Sequence, residues 1–224
     1  MSAEDRKAAI VRAALPLFAR QGYAATTTKE VARASGVSEP LLYKHFPGKE
    51  ALYLEIQKFS CLDDDPVARC LGELEPSAST LVHLVYYIMR ALTLGRPIGS
   101  IPWDTRHRLM LNSLLEDGAF ARLAYENRLN RFCGRIETCL KKAIAGGHVV
   151  KTAVTPANAA LFAFHVGVWI AVAHLPPKPA IDYNASDDEL LRQSVCFVLR
   201  GMGMTDKAIA TYFNPRALAL FFRE

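Results

Sequence analysis

Residues 27–49, Thr27-Thr-Lys-Glu-Val-Ala-Arg-Ala-Ser-Gly-Val-Ser-Glu-Pro-Leu-Leu-Tyr-Lys-His-Phe-Pro-Gly-Lys49, hold two helix starts separated by a tight turn. Thr27 and Glu30 have the spacing of a capping box, in which the hydroxyl accepts from a backbone N–H three residues on and the carboxylate reaches back. Val31, Ala32 and Ala34 supply the apolar positions of a short first helix, and Gly36 ends it, because glycine tolerates the left-handed backbone of a turn. Ser38 caps a second helix with Pro40 in its first turn, and Val37 is placed to staple against Leu42. The layout, spanning about 27–46, is that of a helix-turn-helix, whose second helix enters the major groove in DNA-binding proteins of this design.

Two short capped helices joined by glycine also occur in proteins that never touch DNA, so the outward residues carry the distinction. Leu42 and Phe46, four apart, form the inward face. Tyr43, Lys44, His45 and Lys49 are left pointing away as donors to phosphate, and residues 41–49 contain no carboxylate. Thr27 or Thr28, at a helix N-terminus whose N–H groups favour an anion, is expected to add a further phosphate contact. Ser38, Glu39, Pro40, Leu41 and Lys44 lie at the exposed start and outer face of the second helix. There Lys44 can donate to guanine, Leu41 can meet a thymine methyl and Glu39 can accept from cytosine. Glu39 equally suits the helix dipole.

The run from Arg6 to Phe59 resembles the N-terminal domain of TetR-family transcriptional regulators. The first-helix stretch AALPLFARQGY (Ala13 to Tyr23) and then TTKEVARASGVSEPLLYKHFPGKEAL (Thr27 to Leu52) follow that family's pattern, with Pro16 a departure expected to kink the first helix. The resemblance covers roughly a quarter of the chain. It implies an all-α fold: a three-helix DNA-binding domain at residues 1–49, and a helical effector-binding and dimerisation domain at 50–224, with the helix from about Lys49 to Cys61 as the lever between them.

Composition agrees with a DNA partner without requiring one. The 224 residues carry a net charge of +5, with hydrophobic residues at 51% and charged residues at 22%, as in a globular protein with a sizeable core. Residues 1–58 hold nine Lys/Arg against six Asp/Glu, whereas the remainder holds eighteen against sixteen. The positive density therefore concentrates where phosphate would be met. The N-terminus shows no apolar run, and the five scattered cysteines form no Cys-x-x-Cys, so a cytoplasmic protein with reduced thiols is expected. Asp63, Asp64 and Asp65 read as a solvated loop rather than a metal site. Arg128, Arg131 and Arg135 form a basic stripe, and His83, His107, His165 and His174 show no metal-ligand spacing. There is no catalytic motif. No enzyme, metal or cofactor is expected.

Beyond Phe59 the chain reads as helices with Gly/Pro breaks: one from Thr80 to Leu94, one from about Trp103 to Asp117 with Leu109, Met110 and Leu114 inward, and a long one from Ala119 to Ala145. The segment Pro156 to Leu175 is apolar on every side, which fits either a membrane span or a helix buried on two faces. Asn158, His165 and the lack of flanking cations favour the second. Ala159, Ala163, Gly167 and Ala171 recur every four residues and are expected to face a twofold partner, since small residues let backbones approach closely. A further capping box at Ser186 and Glu189 opens the next helix, and the late pair looks like the family's dimer-forming element. An apolar small-molecule effector is expected among Tyr86, Tyr87, Met89, Trp103, Met110, Phe120 and Tyr125. The expected protein is a homodimeric repressor that releases a palindromic double-stranded operator on effector binding. Two alternatives stay open, a regulator or activator without an effector, controlled by a protein partner, and an all-helical interaction module that lacks operator specificity; core packing would require the same aromatic residues.

Overall fold

The computed structural model describes residues 2–61, 66–95 and 101–222. Among them lie thirteen α-helices in chain order: α1 Ala3–Ala25, α2 Thr28–Ser35, α3 Glu39–His45, α4 Lys49–Cys61, α5 Pro66–Glu73, α6 Ala78–Thr93 and α7 Trp103–Leu115 come first. They are followed by α8 Ala119–Ala124, α9 Asn130–Ala145, α10 Pro156–Ala173, α11 Asp187–Gly201, α12 Asp206–Tyr212 and α13 Pro215–Phe221. Extended pairing among the described residues is confined to one isolated bridge, Val149 with Met204. The expected Asp63–Asp65 loop lies outside the described residues.

The chain forms two compact units, residues 1–64 with 99–128, and residues 65–98 with 129–224. The boundary expected at residue 49 falls inside the first unit. By packing, α4 stays with the first unit, and so do α7 and α8.

In the first unit, α1 lies along α7 and touches α2 and α4. Ile10, Val11, Phe18, Val31, Leu42, Phe46, Leu52, Ile56, Leu109 and Phe120 close its core. Ala34, read as apolar and inward, is exposed, and so is Leu114. Both sit near a helix end, where the periodic pattern has too few turns to fix a face. The break in α1 falls at Gly22 (φ 76°, ψ 178°), where the non-helical dihedrals lie, rather than at Pro16. Only glycine adopts that backbone at low cost.

In the second unit α6 is central, flanked by α9, α10 and α11. Its buried residues include Leu81, Leu84, Val85, Met89 and Leu92. The long helix expected from Ala119 to Ala145 is interrupted: a π-helical turn at Tyr125–Leu129 separates α8 from α9. α10 is long and apolar enough to cross a membrane by composition, yet it packs along α6 and α9 of its own unit. The Ser186–Glu189 box is half formed. Ser186 accepts from the Glu189 N–H, but the Glu189 carboxylate turns to Arg192 and Gln193 instead.

Candidate nucleic-acid interface

The helix-turn-helix is held by local hydrogen bonds of the expected kind. The Thr27 hydroxyl accepts from the Glu30 N–H (3.2 Å), while the Glu30 carboxylate accepts from the Thr27 N–H (2.9 Å) and hydroxyl (2.8 Å). The Thr27 N–H bond holds the Glu30 carboxyl below the usual carboxylate range. Gly36 takes the left-handed conformation (φ 67°) and its N–H returns to Ala32 and Arg33. Ser38 then accepts from the Leu41 N–H at 3.3 Å, with Pro40 in the first turn of α3.

Leu42 and Phe46 are buried, which turns Pro40, Tyr43 and Lys44 to solvent, with Glu39, Leu41 and His45 half-buried beside them. Thr28 Oγ1 and Tyr43 Oη lie 3.2 Å apart, tying α2 to α3 on this outer side. Two exposed cations of α2, Lys29 and Arg33, extend the basic face. The sequence pattern of that helix marks its caps and apolar positions and does not single these two cations out. Thr27, by contrast, is taken up by its own cap, since its hydroxyl both donates to and accepts from Glu30. The Thr28 hydroxyl meets only the Tyr43 hydroxyl among the hydrogen bonds of this face.

Lys49 requires a correction. Its ammonium does not project as a phosphate anchor; Nζ donates to the carbonyls of Tyr23 (2.8 Å), Thr26 (3.0 Å) and Ala24 (3.2 Å), and lies 4.4 Å from the centre of the Tyr23 ring. An ammonium has three donors, and all are used here. The carbonyls at a helix C-terminus lack intrahelical partners, and a cation also complements the dipole there. Lys49, at the start of α4, seals the end of α1.

The small-residue stripe also requires a correction. Ala159, Ala163, Gly167 and Ala171 are buried within the chain's own second unit. A Cβ added at Gly167 would meet Leu92 Cδ1 at 2.5 Å and Met89 Cε at 2.8 Å, both on α6. The stripe admits α6 rather than a second subunit. The bulky residues behind it, Phe162 (54% exposed) and Trp169 (68%) on α10, stand out with Phe197 (67%) on α11. Gly167→Leu is therefore expected to lower stability by about 1–3 kcal/mol through overpacking, seen as a lower melting temperature with the oligomeric state unchanged. A dissociated but equally heat-stable variant would return the stripe to an intersubunit seam.

The expected effector residues divide between the units. Tyr86, Tyr87 and Met89 are buried in the second, where Phe222 packs 5.4 Å from Tyr86 and 6.0 Å from Tyr87. Phe120 is buried in the first, with Met110 packed against the same core and Tyr125 partly exposed. Trp103 lies 4.8 Å from His107, whose Nδ1 is 2.8 Å from the Trp103 carbonyl. Burial pushes the His107 pKa down and that of Tyr53 up to about 12, so both are neutral at pH 7. The second unit also holds a cavity of about 420 Å³ walled by Leu140, Ile144, Val154 and Met202, with Lys141 and Lys151 at its edge. It contains none of the seven expected residues.

Residues 10–56 match the family model described as "Bacterial regulatory proteins, tetR family". HTH-type transcriptional regulator HbdR of Aromatoleum sp. (strain CIB) is 28% identical over 147 residues, 64% of this chain and 60% of that protein. HTH-type transcriptional activator FasR of Mycolicibacterium smegmatis is 40% identical over 53 residues, 24% of each chain. The alignments thus span less than two thirds of these relatives. Among solved structures, AibR in complex with isovaleryl coenzyme A and operator DNA superposes with a TM-score of 0.63 at 20% identity, over 86% of this chain and 97% of that one. That likeness shows the shared all-helical fold.

Proposed function

We propose that this chain, which belongs to the tetR family of bacterial regulatory proteins, is a cytoplasmic, sequence-specific DNA-binding transcriptional regulator that acts as a homodimer and releases a palindromic operator when an apolar small molecule binds. The observation that carries the reading is the capped α2–α3 pair. It buries Leu42 and Phe46 and turns Tyr43, Lys44 and Pro40 outward from a family-matched segment. Tyr43, Thr28 and His45, joined by Lys29 and Arg33, supply phosphate contacts. Lys44, Leu41 and Glu39 face the bases, and Ser38 and Pro40 set the start of the reading helix.

Two reading helices about 34–36 Å apart, one turn of DNA, are needed to engage both half-sites. The exposed aromatic residues of α10 and α11 support a twofold partner on that face, since a soluble chain rarely leaves such a patch uncovered. An effector that favours a different spacing weakens operator binding by its differential affinity for the two states. AibR, whose fold is shared, was crystallised with an acyl-coenzyme A and operator DNA, which supports the effector arm. FasR, an activator, favours the second reading, in which the same DNA-binding domain activates rather than represses.

Base readout is tested by Lys44→Ala. Loss of a base contact is expected to cost about 1–3 kcal/mol of specific affinity and to relax one position per half-site in the sequences the protein selects. A selected motif identical to that of the wild type would remove Lys44 from the readout.

A further inference from the structure

α1 breaks at Gly22, and the break strands carbonyl groups immediately before the DNA-reading helices. In an uninterrupted helix the Ala19 carbonyl would accept from the N–H of Tyr23. With Gly22 at φ 76° and ψ 178°, that N–H is turned away. The vacancy is filled from α7, where Asn112 Nδ2 donates to the Ala19 carbonyl at 3.0 Å and lies 3.4 Å from that of Phe18. Only the amide nitrogen of Asn112 can serve two carbonyls, which fixes its orientation. Beyond the break the Thr26 hydroxyl donates to the Gly22 carbonyl (2.7 Å), and Lys49 takes those of Tyr23, Ala24 and Thr26. The carbonyls of Ala19, Gly22, Tyr23, Ala24 and Thr26 are thus each held by a side chain. The only one among them brought from outside residues 1–64 is Asn112.

We propose that Asn112 is a positioning residue for operator reading. It fixes the last turn of α1, and through it the direction in which α2 and α3 leave Thr27, without touching DNA. Two features favour positioning over simple adhesion. The bond falls at the break, the one place in α1 where the backbone has an alternative path. Asn112 is also only half-buried, so its amide adds little apolar packing. Glu116, the exposed residue that caps the end of α7, lies over the same spot: its Oε1 would be 2.7 Å from a Cβ at Gly22. α7 and its capping residue therefore reach the break from two positions four residues apart.

The inference rests on the operator-binding reading above. The test uses the full-length chain and the duplex that the wild type selects from random DNA, with variants of that duplex carrying one base pair more or fewer between half-sites. Asn112→Asp keeps the shape but removes both donors, and Asn112→Ser keeps one donor on a shorter arm. Asn112→Asp is expected to bind the selected duplex about tenfold more weakly, the scale of one lost hydrogen bond. Its affinity for random duplex and its selected half-site should be unchanged, and its preference for the native spacing should flatten. Asn112→Ser is expected to recover part of the spacing preference. A merely adhesive Asn112 would lower the melting temperature of both variants and leave the spacing profile at its wild-type shape, which would overturn the proposal. A wild type that selects no palindrome would overturn the operator reading itself, and this proposal with it.

Discussion

Trp169→Glu is expected to give a folded monomer that no longer retains its operator at micromolar protein. Trp169 is 68% exposed, on the face of α10 opposite the buried stripe, so the chain's own core does not depend on it. A central aromatic anchor at an interface typically contributes 2 kcal/mol or more, and a twofold interface counts the change on both subunits. The added carboxylate must also be desolvated wherever the partner covers it. Loss of the dimer then removes the intramolecular second contact, which lowers avidity by about 10²–10⁴-fold. Sedimentation and operator titration of the same preparation read both effects. A variant that remains dimeric would show that α10 is not the seam.

Lys49→Ala is expected to act on the fold first. It strands three carbonyls at the end of α1 and removes the cation from the Tyr23 ring. Bonds from a charged donor contribute about 1.5–3 kcal/mol each, but three acceptors sharing one ammonium are not additive, and water reaches part of the site. A loss of about 2–4 kcal/mol is expected, a fall of roughly 5–15 °C in melting temperature for a chain of this size. The folded fraction should bind random duplex with the wild-type dependence on salt. If the melting temperature held while the salt slope dropped by about one, Lys49 would be a phosphate contact after all.

What could be read from the sequence was whatever depends on neighbours three or four residues away. The Thr27–Glu30 box, the Gly36 turn, the Ser38 cap and the inward pair Leu42 and Phe46 are all of that kind, and each stands where the spacing put it. Lys49 was misassigned because its acceptors lie 23–26 residues back, and a surface lysine and a capping lysine have the same local signature. α10 failed for a different reason. An apolar helix surrounded on all sides carries no period from which to choose a face, and small residues permit close approach to any helix, whether of the same chain or another. The outward face of the late helices, with Phe162, Trp169 and Phe197, becomes visible only when α6 takes the stripe, because composition does not separate a buried aromatic residue from an exposed one. The association of α7 and α8 with the N-terminal helices is a long-range pairing that no spacing encodes. The Gly22 break gave the one available hint, since a glycine inside a helical pattern marks a place where something else approaches.

The central claim is that this chain reads a specific duplex as a symmetric pair. Selection from random double-stranded oligonucleotides at physiological salt, with the full-length protein, tests it most directly. The account predicts enrichment of an inverted repeat whose half-site centres lie about one helical turn, 10–10.5 base pairs, or a whole multiple of it apart. Sequences enriched without symmetry, or no enrichment over the starting pool, would contradict it.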